Sequence, residues 1–151
     1  MNSNKIKDIK ARLIIDSRGN PTIEADVLLE NNTLGRASVP SGASTGDKEA
    51  LELRDKDTMW CGKGVNKAIS NIKNKIRPQL IGMDCTDIRL VDNTMKKIDG
   101  TLNKSELGAN AILAVSLANV QAGANYQNKS LVQYIYKYIH QDKSQAQSDW
   151  A

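Results

Sequence analysis

Three segments in the first part of the chain alternate between apolar and polar residues, as half-buried β-strands do. The clearest covers 22–30, where every second side chain is apolar and belongs to one face: Ile23, Ala25, Val27 and Leu29. Residues 5–15 and 33–40 predict strands on either side, with turn-forming residues at 16–21 and at Asn31–Asn32 between them. Short turns join neighbouring strands in antiparallel order, so the pattern predicts a three-stranded meander with one face that must be covered.

The rest of the chain has the apolar spacing of helices. Residues 63–76 and 86–98 carry amphipathic stripes; Arg77–Pro78 predicts the end of the first helix, and Thr86 is the predicted N-cap of the second. Residues 106–127 are apolar around most of the helix circumference, which predicts burial on more than one side. Ser130 is placed to cap a last helix.

These elements predict the α+β class: a three-stranded antiparallel β-meander followed by a bundle of about four helices. The predicted domain covers residues 1–140, and the polar, aperiodic residues 141–151 predict a disordered tail. A chain of 151 residues with 40% hydrophobic and 25% charged side chains fits one globular domain. Asn110, inside the most apolar helix, is expected to be a core amide with its hydrogen bonds satisfied.

Charge and cysteine content exclude several functions. The net charge is only +4, and the lysines are spread along the chain with few aromatic residues between them, which argues against nucleic-acid binding. The single histidine, His140, rules out a site with several histidine ligands in this chain. Cys61 and Cys85 are far apart and predict free thiols in a reducing cytoplasm. No apolar run is long enough to predict a secretory signal or a membrane span.

Residues 40–46, with the sequence PSGASTG, stand out because they are small and rich in hydroxyl groups. Glycines at 42 and 46 allow unusual backbone angles, and the hydroxyls and free amides suit a phosphate or a hard cation. The alternative is an ordinary connecting loop.

Charged residues on both sides of the 40–46 loop also allow two interpretations. Carboxylates such as Glu24 and Asp55 are the type of group that acts in general acid–base catalysis. Each of them, however, has an arginine nearby in the sequence, so structural ion pairs are the favoured interpretation.

Further motifs flank the 40–46 loop: DSRGNPT at 16–22, EALELRD at 49–55, GKGV at 62–65 and LGANAIL at 107–113. In this order and spacing, the chain from about residue 6 to residue 139 resembles the N-terminal domain of enolase, of the bacterial type. Enolase is the phosphopyruvate hydratase of glycolysis.

The resemblance implies roles for particular residues. It implies a substrate lid formed by Ser41, Gly42, Ala43, Ser44, Thr45 and Gly46, in which Ser44 ligates a magnesium ion. It places Arg12, Arg18 and Glu24 where enolase subunits meet in the dimer. It implies no catalytic residue in this chain, because the base, the acid and the acidic magnesium ligands of the family belong to a C-terminal barrel.

Two functions of different class follow. The first is the lid and dimerisation domain of an enolase that converts 2-phosphoglycerate to phosphoenolpyruvate and water. This domain is expected to be inactive without a barrel, and to bind Mg²⁺ and substrate only together with one. The second is a stand-alone enolase-derived protein that pairs with full-length enolase or another partner; the polar residues up to Ala151 motivate it.

Overall fold

The structure is a computed structural model that describes residues 3–41 and 49–148. It opens with the strands β1 (Ile6–Ile15), β2 (Pro21–Leu29) and β3 (Leu34–Ser38), which form one antiparallel sheet in the order β1-β2-β3. The predicted meander is therefore confirmed. Asn32 has a φ of 68°, a left-handed value that asparagine tolerates, and it forms the predicted turn between β2 and β3.

The inner face of β2 is the centre of the core. Its four alternating apolar residues, named above as one face, have an exposed fraction of 0%. Their neighbours across the sheet are apolar or small as well: Leu13 lies opposite Ile23, and Gly35 lies opposite Val27. Helices cover this face, as the strand pattern requires.

The first helical region starts and ends a few residues later than predicted. Helix α1 (Asn66–Asn71) continues through a π-helical turn (Ile72–Ile76) into α2 (Arg77–Leu80) without a break. The prediction that Arg77–Pro78 ends the helix is therefore wrong. Pro78 directly follows the π-helical turn, a distortion of the regular hydrogen-bond ladder that accommodates a residue without a backbone N–H inside a continuous helix.

Helix α3 (Ile88–Asp99) begins one residue later than predicted. The N-cap is Asp87, whose Oδ1 accepts the N–H of Leu90 at 3.0 Å. Thr86, the predicted N-cap, instead donates its hydroxyl to Asp84 Oδ1 at 2.6 Å. The hydroxyl of Thr86 is thus oriented towards Asp84, and it is Asp87 that caps α3.

Helix α4 (Ala109–Tyr126) crosses β2 and β3 and contacts α3 and α5 on its other sides. Gly35 is the point of closest approach: a Cβ there would lie 2.2 Å from both the Ala118 carbonyl oxygen and the Ala122 nitrogen. Only glycine lets strand and helix come this close.

Helix α5 (Leu131–Ser148) starts with a reciprocal cap. Ser130 N–H donates to Gln133 Oε1 at 3.1 Å, and Gln133 N–H donates to Ser130 Oγ at 3.3 Å, so the predicted cap is confirmed. The backbone of α5 stays helical up to Ser148 and thus includes residues 141–148, which were assigned to the tail; several are good helix formers. The domain boundary at 140 stays a prediction.

Within the described part of the chain, no helix combines the length and apolarity needed to cross a bilayer.

Candidate functional site

The turn between β1 and β2 is built around Asp16. Its Oδ1 accepts the N–H groups of Arg18 at 2.8 Å and Asn20 at 2.9 Å, and its own N–H donates to the Asn20 carbonyl at 2.8 Å. Gly19 takes the left-handed φ of 77° that closes the turn. The hydrogen bond from Asn20, more than any other interaction, lowers the pKa of Asp16. The turn therefore presents the Arg18 side chain from a fixed backbone.

Arg18 holds the start of the predicted lid. Its Nη2 donates to Ser41 Oγ at 2.9 Å and to the Ser41 carbonyl at 3.2 Å, and Ser41 Oγ donates to Asp16 Oδ2 at 3.1 Å. We call these three residues, Asp16, Arg18 and Ser41, the loop anchor. The other predicted lid residues lie outside the described residues: Gly42, Ala43, Ser44, Thr45 and Gly46. The lid and the metal-ligand role of Ser44 therefore stay predictions.

The chain is hydrogen-bonded to the domain again shortly after residue 48. Leu51 N–H donates to the Asn103 carbonyl, and Ala109 N–H donates to the Leu51 carbonyl, both at 2.7 Å. Arg54 reaches back to the sheet, because its Nη1 donates to the Pro21 carbonyl at 2.6 Å. Both ends of the predicted lid are thus attached to the body of the domain.

The favoured ion-pair interpretation holds for Glu52 but is wrong for Asp55. Glu52 Oε2 lies 3.0 Å from Arg54 Nη2. Asp55 instead accepts the N–H groups of Asn66 and Lys67 at 2.9 Å each, so it caps the start of α1. The capping role of Asp55 was not predicted, because Asp55 lies far upstream of the helix that it caps.

Four charged side chains lie together on the outer face of the sheet, and we call them the outer-face cluster: Arg12, Glu24, Asp26 and Arg36. Arg12 Nη1 lies 2.5 Å from Glu24 Oε1, and Arg12 Nη2 contacts Asp26 Oδ2. Arg36 donates to both oxygens of Asp26, at 2.7 Å from Nε and 2.9 Å from Nη2. Asp26 is the centre of the cluster, because it binds both arginines.

The cluster changes the ionisation of its members. The hydrogen bonds from Arg36, followed by those from Arg12, outweigh burial and lower the pKa of Asp26 from 3.8 to about 2. The hydrogen bond to Asp26 likewise raises the pKa of Arg12. Asp26 and Arg12 therefore carry their charges at neutral pH, and with Glu24 and Arg36 they form a structural ion-pair network.

The structure thus brings together two of the three residues predicted for the subunit contact. Arg12 and Glu24 form a pair within the chain, whereas Arg18 belongs to the loop anchor. Sequence reasoning missed Asp26 and Arg36. The signal was available in the register, because the turn at Asn31–Asn32 places Arg36 directly across from Asp26.

The described residues do not form a magnesium site. In the part of the chain that the structure describes, no three histidine, cysteine or acidic side chains are grouped so that they could hold a metal ion. A magnesium ion prefers several oxygen ligands, with carboxylates among them. The residues described here therefore do not fit a resident Mg²⁺ on their own.

Apolar side chains on the two longest helices remain exposed. Leu113 and Leu117, one turn apart on α4, are 40% and 37% exposed, so α4, which is buried on more than one side as predicted, still has one open side. On α5, buried Tyr134 and half-buried Tyr138 face the domain, and a separate row remains open to solvent: Leu131, Ile135 and Ile139. A solvent-facing helix side would ordinarily be polar, so these rows suit contact with another surface.

These features define an α+β domain with a leading meander, a long helix across its inner face and apolar helix surfaces left uncovered. The family model described as "Enolase, N-terminal domain" matches residues 6–135, which is most of the chain. The chain therefore belongs to the enolase N-terminal domain family, in agreement with the resemblance found in the sequence.

Proposed function

We propose that this chain serves as the N-terminal domain of an enolase, which converts 2-phosphoglycerate to phosphoenolpyruvate and water with Mg²⁺ and a barrel domain. Membership of the family supports the assignment. The observation that carries it is the exposed pair Leu113 and Leu117 on α4, the helix that also packs on the sheet. A helix that is apolar on both sides needs a second layer, and a barrel would supply it.

In this proposal, residues 41–46 close over the substrate. Support comes from the two attached ends of the segment, the loop anchor at Ser41 and the Leu51 hydrogen bonds, since a lid needs fixed ends around its moving part. Ser44 would add one oxygen ligand to a magnesium ion held by acidic residues of the barrel.

The proposed subunit contact involves Arg12, Arg18 and Glu24. Arg12 and Glu24 already pair within the chain, and their side chains remain 37% and 21% exposed. A partner subunit could therefore approach the pair without first breaking it. Arg18 is exposed next to Ser41, so the same contact would lie beside the lid.

The proposal predicts that the chain alone has no enolase activity, because the groups that move the proton would come from the barrel. The test measures turnover of 2-phosphoglycerate, with Mg²⁺ present, by the chain, by a separately expressed enolase barrel and by their mixture. We expect turnover only in the mixture. Turnover by the chain alone would contradict the predicted inactivity, and a mixture that binds without turnover would contradict the domain role.

A matched pair of variants tests the apolar contact. Leu117→Lys should weaken assembly with the barrel, because it places a charge in the buried interface. Leu102→Lys is the control, since Leu102 is 97% exposed in a loop before α4. Equal assembly of the two variants would exclude the α4 surface as the contact. Association with intact enolase but not with the barrel would instead favour a stand-alone binding protein.

We also propose a cytoplasmic location. The support is that Cys61 and Cys85 are both free thiols, as expected in a reducing compartment.

A further inference from the structure

The outer edge of the sheet is formed by β1, and part of its backbone faces away from β2. Ile23 accepts the N–H of Val39, which shows that odd-numbered residues of β2 direct their backbone groups towards β3. The even-numbered ones therefore face β1 and pair with residues such as Lys10 and Arg12. It follows that the backbone groups of Ile9, Ala11 and Leu13 point to the free edge.

Described residues outside the sheet form backbone hydrogen bonds with this edge only at its start, at Ile6. Ile6 exchanges hydrogen bonds with the loop after α2, through the Met83 carbonyl at 2.9 Å and the Gly82 N–H at 2.8 Å. Ile9 N–H donates to Asp8 Oδ1 at 2.9 Å. Beyond Ile9, no described residue outside the sheet bonds to the backbone of Ala11. Natural proteins usually block such an edge, so an open stretch is a site where another strand can add.

A groove of about 400 Å³ lies along this stretch, and we call it the edge groove. Its walls are β1 on one side, at Ile9 and Ala11, and the first helical region on the other, at Ile69 and Lys73. Ile9 is buried and Ile69 half-buried, so the floor is apolar. A groove between an edge strand and a helix has the shape that binds a peptide as an added strand.

The rim of the edge groove is basic. Lys10, Lys73 and Arg77 line it together with Asp8. The negative charge of Asp8 is balanced by Arg77, whose Nε donates to Asp8 Oδ1 at 2.6 Å. Neither lysine forms a salt bridge with a described residue. The two lysines therefore leave an uncompensated positive charge beside the open backbone.

We propose that the edge groove binds an extended acidic peptide segment, which adds to β1 as a fourth strand. Its backbone pairs with Ala11 and Leu13. One acidic side chain reaches Lys10 on the outer face of the sheet, and on the inner face another reaches Lys73 beside an apolar side chain that covers Ile69. The proposal does not depend on the enolase activity, because it uses neither residues 41–46 nor the exposed α4 surface.

The test titrates the full chain into a fluorescein-labelled hexapeptide of the order Glu-Glu-Val-Glu-Glu-Val, which presents glutamate and valine on both faces of a strand, and follows fluorescence anisotropy. We expect saturable binding with a Kd below about 1 mM, and no binding of a matched lysine–valine peptide. Lys73→Glu should weaken binding by about tenfold or more. Lys75→Glu, an exposed lysine on the same helical region outside the groove, should change it by less than about threefold.

Amide hydrogen exchange separates strand addition from simple charge attraction. On addition of the acidic peptide, exchange at Ala11 and Leu13 should slow, whereas exposed Lys75 should be unaffected. Three results would overturn the proposal: no saturable binding, equal effects of the two lysine variants, or binding that leaves exchange at Ala11 and Leu13 unchanged.

Discussion

Asn110 binds the backbone of Leu53 as a neighbouring strand would. Leu53 N–H donates to Asn110 Oδ1 at 3.0 Å, and Asn110 Nδ2 donates to the Leu53 carbonyl at 3.1 Å. Asn110 is 4% exposed in the first turn of α4. One side chain therefore attaches the extended segment after residues 42–48 to the central helix, as the prediction of a satisfied core amide required.

Replacing this amide should be costly. Asn110→Ala leaves the N–H and carbonyl of Leu53 without their partner, and we expect it to lower the free energy of unfolding by about 2–3 kcal/mol. Urea denaturation measures the change. The control is Asn93→Ala, an exposed position on α3, which should stay within about 0.5 kcal/mol of the parent. Similar losses in both variants would contradict the structural role of Asn110.

The close approach of β3 and α4 leads to a second prediction. Gly35→Ala places a Cβ against backbone atoms of Ala118 and Ala122, which cannot rotate away, and should cost about 3 kcal/mol or more. Gly19→Ala is the comparison, because nothing lies within 4 Å of its Cβ and only its left-handed φ is strained. That variant should cost about 1 kcal/mol. Thermal denaturation distinguishes the two, and a smaller loss for Gly35→Ala would refute the contact.

The sheet could be predicted from the sequence because its signals are local. Alternation with a period of two can place Ile23 and its neighbours on only one buried face, and Asn32 readily takes the left-handed angle of the turn. The cap at Ser130 was equally clear, since both partners lie within four residues.

The remaining features depend on residues that are distant in the sequence. Asp84 competes for the hydroxyl of Thr86, and Asp55 caps a helix that starts well downstream. The central role of Asp26 needs the register of both neighbouring strands at once. The open side of α4 was also unpredictable, because apolarity shows that a surface needs cover but not where the cover comes from.

The outer-face cluster predicts a pH-dependent stability. The folded pKa of Asp26 is about 2, below the value of 3.8 expected without its partners. Its contribution is therefore present above about pH 4 and is lost as pH falls towards 2. Because both arginines are partly exposed, we expect about 1–2 kcal/mol from it at neutral pH.

Asp26→Asn measures this contribution. The stability difference from the parent, determined by urea denaturation, should be full at pH 7 and should shrink steadily between about pH 4 and pH 2. Asp57→Asn is the control, because Asp57 is exposed and in no salt bridge with a described residue. A difference for Asp26→Asn that stays constant down to pH 2.5 would show that the arginines do not stabilise its charge.

The two cysteines should differ sharply in reactivity. Cys61 is exposed, whereas Cys85 has an exposed fraction of 0%, and burial raises the pKa of the Cys85 thiol to about 12. Alkylation requires both access and a thiolate, so iodoacetamide at about pH 8 should modify Cys61 alone in the folded chain. Intact mass should show one adduct, and a second should form once denaturant unfolds the domain. As controls, the Cys61→Ser variant should form no adduct in the folded state, and the Cys85→Ser variant should still form one. Comparable labelling of both thiols in the folded chain would contradict the prediction and would mean that the α3–α4 side of the core opens readily.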